Sequence, residues 1–285
     1  ATHASRELVR CVAPASVSSL PGVVPVRVLN NDAVYTSVVA FTYRTPAGVE
    51  RIHPVAGARG GGTLVTVYGT GFVESVSTRC RFGDTAVAAR LLVAGQLECM
   101  SPRPSTSGYA LLEVTMNEQD YSSDGTLFEF QPEVAVLAVE PSRGPLDGGT
   151  FVNVTGSGFS HRAALLGYLW CRFNQTAVVA AWVSESEVSC ISPEHDGGVV
   201  AVELTQNEQQ YTGDGVSFEY EHVVAHSIYP NSGPSQGGTL VEVRGGNMEV
   251  PDGRGLFCQF GGAEAVAATH ASRELVRCVA PASVS

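Results

Sequence analysis

Hydrophobic positions in this chain come in short runs of about 4 to 7 residues that alternate with polar ones, and Gly, Pro, Asp and Asn punctuate the gaps. In LVTVYG at 64–69, a period of two turns Val65 and Val67 toward a core and Thr66 and Tyr68 away from it. The same phase recurs at Val152 and Val154 and at Val241 and Val243. Residues 185–190 alternate too, and no stretch sustains a 3.6-residue period, so the pattern predicts strands throughout.

The strands fall into a repeat. Gly-Gly-Thr stands at 61–63, 148–150 and 237–239, each followed by an alternating run and a Gly. Further on come Cys80-Arg-Phe-Gly, Cys171-Arg-Phe-Asn and Cys258-Gln-Phe-Gly, then Cys99-Met-Ser-Pro, Cys190-Ile-Ser-Pro and Cys278-Val-Ala-Pro. MNEQDYSSDGTLFEF ends at Phe130 and QNEQQYTGDGVSFEY at Tyr220. The unit is about 90 residues, and about seven short strands in that length predict an immunoglobulin-like β-sandwich. Residues 48–131 and 133–220 read as complete modules, 222–285 as the front of a third, and 1–45 as the back of one, since Cys11-Val-Ala-Pro and Phe41-Thr-Tyr43 match its landmarks. A second tier overlies this: residues 1–18 and 268–285 are the same string, ATHASRELVRCVAPASVS, which sets a long period of 267 residues and implies a longer parent built from copies of three modules.

These residues resemble the IPT/TIG domain, a family named for immunoglobulin-like domains of plexins and transcription factors. Pro141-Ser-Arg-Gly-Pro-Leu-Asp-Gly-Gly-Thr150 and Pro230-Asn-Ser-Gly-Pro-Ser-Gln-Gly-Gly-Thr239 carry the likeness, with Gly156-Ser-Gly-Phe159 and the Cys-x-Phe and Cys-x-Ser-Pro strings. Two places depart from it: Gly245-Gly-Asn-Met248 where Gly-x-Gly-Phe is expected, and Ala58-Arg-Gly-Gly61 in the first complete module. The resemblance implies an all-β fold of tandem immunoglobulin-like sandwiches in a rod-like array, and it implies a fold more than a function.

The cysteines add the compartment. Cys80/Cys99, Cys171/Cys190 and Cys258/Cys278 are separated by 19, 19 and 20 residues, and Cys11 is the counterpart of Cys278 with its partner expected upstream. Regular pairing of this kind predicts disulfides in an oxidising, extracellular or cell-surface setting; the rival zinc reading needs C-x-x-C or Cys/His clusters, which the chain lacks. The transcription-factor branch, which works in a reducing nucleus, drops out. Two sequons, Asn153-Val-Thr155 and Asn174-Gln-Thr176, then become candidate glycan acceptors, both expected to be exposed. The Ser/Pro-rich stretch at 101–107 is a weaker candidate for O-linked sugar.

Charge narrows the partners. The formal net charge is −11, and all 17 basic residues are Arg, which argues against nucleic acid and against electrostatic binding to an anionic membrane. No apolar run reaches the ~18 residues needed to span a bilayer.

The chemistry of catalysis is missing. The Gly-rich stretch at 57–62 lacks the Lys-Ser/Thr and helix of a phosphate loop and reads as a turn. His3, His53, His161, His195, His222, His226 and His270 are scattered singly. The loops at 117–125 and 207–215 gather oxygens, but not at the alternating positions of a Ca²⁺ loop, and Asp-Gly before a strand signals a hairpin. The sequence thus predicts a non-enzyme with no cofactor and no metal. Connections of a few residues between modules, one stiffened by Pro132, predict little freedom between neighbours. Of two roles, identical ends favour a self-associating, glycosylated extracellular filament, because heterologous contacts propagate. The alternative is an adhesive or receptor ectodomain binding a partner through its modules.

Overall fold

The fold is described from a computed structural model covering residues 2–5, 8–16, 20–30, 33–34, 39–105, 108–248 and 256–283. The chain divides into two compact units, one of Ala1–Val55, Leu64–Pro102 and Ala110–Phe128, the other of Ala56–Thr63, Arg103–Tyr109 and Glu129–Ser285.

In the first unit, alternation builds one run of hydrogen-bonded strands in the order Gly48–His53, Leu64–Thr70, Gln96–Met100, Thr85–Val93, Arg79–Phe82 and Gly108–Thr115. Thr85–Val93 pairs with Arg79–Phe82 through its first half and with Gln96–Met100 through its second. Val65 and Val67 are buried, as their phase predicts, and so are Leu97, Leu112 and Val114. Phe82 meets Phe128 edge to face at 5.2 Å, an arrangement that adds to plain burial.

The second unit shows the sandwich with its layers parted. One sheet orders Ala135–Glu140, Phe151–Ser157, Glu187–Ile191 and Ala181–Ser184; the other orders Arg143–Pro145, Ser217–Glu221, Gly198–Thr205, Trp170–Phe173 and Thr176–Val179. Between them lie Val152, Val154, Val188, Phe173, Phe218 and Tyr220, all buried. Burying side chains of this size contributes about 1.5–3 kcal/mol each, which is what holds the layers together.

The Gly that ends each alternating run is needed for close approach. A Cβ on Gly156 would sit 2.0 Å from the carbonyl oxygen of Ala135 and 2.5 Å from the Phe159 ring. Phe72 fills that place beside Gly69, and Met248 fills it beside Gly245. The departure at 245–248 therefore keeps the packing: Met248 is 3% exposed and occupies the room of the expected Phe.

The remaining strands repeat the plan in part. Val224–Tyr229, Leu240–Gly246, Leu275–Val279 and Thr269–Ser272 form one four-stranded sheet, with Ile228 opposite Val243 just as Val139 stands opposite Val154. Val241 is buried, but Val243 is only half-buried, short of the core position that its phase predicts. In the first unit, Gly22–Val26 pairs with Val39–Tyr43 as a separate hairpin. One element escaped the strand pattern: a helix at His161–Leu165, capped by the Ser160 hydroxyl accepting from the Ala163 amide at 3.3 Å. Five residues are too few to show a period.

Candidate functional site

The sulfurs of Cys80 and Cys99, Cys171 and Cys190, and Cys258 and Cys278 are joined, with Cα atoms 6.3, 6.4 and 6.3 Å apart. Cys171 lies on Trp170–Phe173 and Cys190 on Glu187–Ile191, so this bond ties the two sheets of the sandwich through its core. The other two bonds link the equivalent strands. Cys11 is exposed and, among the described residues, has no disulfide.

The two sequons sit differently. Asn174 occupies the left-handed region at φ 56°, on the two-residue turn between Trp170–Phe173 and Thr176–Val179, and is exposed. Its Nδ2 lies 3.2 Å from Nε2 of His195, whose ring stacks on Tyr220 at 5.0 Å. Asn153 does not have the full exposure that its outward phase predicts. It is half-buried in the middle of a sheet, flanked by Glu140 on one side and Ser189 on the other, because its strand is paired along both edges. In the 101–107 stretch, residues 106 and 107 lie outside the described residues, as does the side chain of His3.

Burial pushes the Tyr220 hydroxyl up to about 12. Glu242 is held below the usual carboxylate range, chiefly by Arg277, whose Nε and Nη2 donate to it at 3.1 and 2.9 Å.

The oxygen-rich loops are built into the fold. Asp124 Oδ2 accepts from the Val49 amide and Asp214 Oδ2 from the Val136 amide, each at 2.8 Å, so these carboxylates fasten the first strand of each complete module. Among the described residues, no three His, Cys, Asp or Glu side chains come together as a metal set. The Gly-rich stretch at 57–62 leaves the short strand Ala56–Ala58 in a turn, with the Gly61 amide donating to the Ala58 carbonyl at 2.9 Å.

Sequence reasoning missed two constellations. In the first, Arg81 reaches Glu113 at 2.9 and 2.6 Å and lies 3.9 Å over the Tyr121 ring; Arg172, Glu203 and Tyr211 repeat this set, with Arg172 3.8 Å over its ring. The recurring Arg of Cys-Arg-Phe was the available signal. The second is a buried polar joint whose residues all belong to the second compact unit. Thr63 Oγ1 donates to Gln210 Oε1 at 2.8 Å, Asn207 Nδ2 donates to Thr63 Oγ1 at 3.2 Å, and Gln210 Nε2 donates to the Gly62 carbonyl at 3.0 Å. Asn207 Oδ1 meanwhile accepts from the amides of Gln209 and Gln210, which fixes the loop. The Gly-Gly-Thr turn of one module is thus clasped by the loop of the next. Beside it lies a cavity of about 260 Å³ lined by Ala58, Gln131, Val134, Gln206 and Tyr211. The corresponding junction around residue 222 is lighter: Arg273 meets Glu140 at 3.3 Å with both side chains exposed, and Asn247 donates to the His222 carbonyl at 3.0 Å.

Comparison with known proteins agrees with this geometry. The IPT/TIG domain family matches residues 47–130, 135–220 and 224–285. Fibrocystin-L of Mus musculus is 24% identical over 218 residues, 76% of this chain and 5% of its own length. Plexin-A2 of Mus musculus is 25% identical over 256 residues, 83% of this chain and 13% of its own. Plexin-B1 of Homo sapiens is 35% identical over 125 residues, 41% of this chain and 6% of its own. The chain therefore spans a small part of each relative. In structure, it is similar to the full extracellular region of plexin A4 with a TM-score of 0.52 and 19% identity, covering 83% of this chain and 21% of that one, a likeness of fold. Three matched modules, sharing one sheet plan and one inter-strand disulfide position, make this chain a member of the IPT/TIG domain family.

Proposed function

We propose that the chain is an extracellular, non-catalytic stretch of a receptor or adhesive protein, in which IPT/TIG modules hold and present a partner-binding surface. The observation that carries this reading is the company its modules keep: plexins and fibrocystin-L match across up to 83% of it, and one solved neighbour is an extracellular region. Three disulfides support the same side of the membrane, since such bonds persist where the surroundings are oxidising. No helix among the described residues is long and apolar enough to cross a membrane. The filament favoured by the repeated ends has less support than this ectodomain reading, because the relatives above are of the second kind. Asn174 is the acceptor we assign to an N-linked glycan, being exposed on a turn, with Asn153 secondary.

The test is topological. An antibody raised against the 117–125 loop is applied to intact cells that make the protein. Labelling without permeabilisation supports the ectodomain reading; labelling only after permeabilisation overturns it.

A further inference from the structure

The strand end at Gln131 differs from its counterpart in the next module. Ala58 stands opposite Gln131 in parallel register as Pro145 stands opposite Glu221, and Ala56 opposite Glu129 as Arg143 opposite Glu219. In the second complete module Arg143 Nη1 donates to Glu221 at 2.7 Å, so the side chain at the strand end is paired. The first complete module has Ala56 in place of the arginine and a neutral amide in place of the carboxylate. Gln131 is 3% exposed, and its Nε2 has no hydrogen-bond partner among the described residues. A buried donor in that state costs free energy that an acceptor restores.

Gln131 forms part of the wall of the 260 Å³ cavity, whose lining residues all belong to the second compact unit. The other three amide side chains in that wall are already used. Gln206 accepts from the Ser160 amide and donates to the Gly158 carbonyl, while Asn207 and Gln210 hold the turn at Gly62 and Thr63. At about 30 Å³ per water, the space is that of roughly nine waters, so a single bridging water does not fill it. Ala58, Pro132, Val134 and Leu204 supply apolar surface. Apolar walls with a few fixed polar groups are the ordinary make-up of a small-ligand site.

The chemistry of the wall selects the ligand. Among the described residues no Arg or His lines it, and Glu133 is its one charged residue, so nothing there pairs with an anion. The unpaired group is a donor, so a bare cation does not satisfy it. A hydroxyl-bearing molecule accepts from an amide and donates to a carboxylate, and a saturated ring covers apolar surface with its C–H faces. We infer that this cavity takes one neutral sugar ring, a pyranose unit of an extracellular glycan, with Gln131 Nε2 donating to one of its oxygens. That such a glycan meets the chain rests on the ectodomain reading; that the cavity holds the ring rests on the wall alone.

The test is ligand-observed saturation-transfer NMR on the full, unreduced chain, with methyl glucoside, methyl galactoside and methyl mannoside as probes. At least one should give a saturable signal with a millimolar dissociation constant. Gln131→Met removes the donor at nearly unchanged volume and should weaken binding about three- to tenfold. Ala58→Leu, at a half-buried position lining the cavity, should abolish it. Thermal unfolding shows whether each variant is folded, and a folded one decides. In the unsubstituted chain, the Gln131 side-chain amide resonance should move on titration. No saturable signal from any probe overturns the inference, as does binding unchanged in both variants or a Gln131 resonance that stays fixed. An N-acetyl amino-acid amide that binds more tightly than every sugar assigns the cavity to a peptide and overturns it too. Surface labelling at the 117–125 loop is independent of these outcomes, so the sugar site and the ectodomain reading fail separately.

Discussion

Asn207 donates through Nδ2 to the Thr63 hydroxyl at 3.2 Å, and both side chains are buried, Asn207 at 5% and Thr63 at 0% exposure. Buried polar partners are expensive to orphan. Asn207→Ala should lower stability by about 1–3 kcal/mol, because it removes the buried donor to Thr63 and the acceptor that the Gln209 and Gln210 amides use. Urea unfolding of the full chain measures the loss, and a double-mutant cycle with Thr63→Val should give coupling well above zero. Arg273→Ala removes an exposed ion pair at the other junction and should change stability by only about 0–1 kcal/mol.

The Cys171–Cys190 bond closes a loop of sequence separation 19 across the two sheets. Replacing both residues with Ala should cost about 2–4 kcal/mol. Thermal unfolding without reductant reads this directly. Peptide mapping of the unreduced chain should return the same-module pairs Cys80–Cys99, Cys171–Cys190 and Cys258–Cys278 and no mixed ones.

Two titrations mark the ends of the pH range. The folded Tyr220 hydroxyl holds its proton to about 12, above the unfolded value of 10.0, so its contribution is complete below pH 10 and is lost as pH rises toward 12. Tyr220→Phe should flatten that alkaline limb. Glu242 is depressed by Arg277, so its contribution is present above its unfolded value of 4.5 and fades as pH falls through the lower folded value. Glu242→Gln should flatten the acid limb, and unfolding midpoints from pH 2 to 12 check both.

Glycan occupancy should follow exposure. Secreted from glycosylating cells, the chain should lose mass on removal of N-glycans, and Asn174→Gln should abolish most of that loss. Asn153→Gln should change it little, since Asn153 sits half-buried between two paired strands. Intact-protein mass spectrometry of the variants decides.

Much of the fold was legible because period-two alternation has one physical cause. Val65, Val67, Val152 and Val154 alternate in sequence and are buried in the structure because successive strand residues point to opposite faces. The His161–Leu165 helix was not legible, since a single turn held by Ser160 leaves no periodic trace. Asn153 reads as outward by phase, yet pairing on both edges of its strand limits its access, and pairing is a property of the sheet. The Asn207–Thr63 joint was hidden for the same reason: the two residues are 144 positions apart, and only folding brings the turn and the loop together. The cysteine spacing, by contrast, pointed to the partners, because the same two strands of the opposed sheets recur in each module with their cysteines 19 or 20 positions apart.

The central claim, that these modules present a partner-binding ectodomain surface, is tested most directly by an equilibrium binding isotherm. The secreted, unreduced chain is fluorescently labelled and titrated onto intact cells, with a chain reduced and alkylated at its cysteines as the control. The account predicts saturable binding that excess unlabelled chain displaces and that the reduced control lacks. Binding that stays linear with concentration, or that survives loss of the disulfides unchanged, would contradict it.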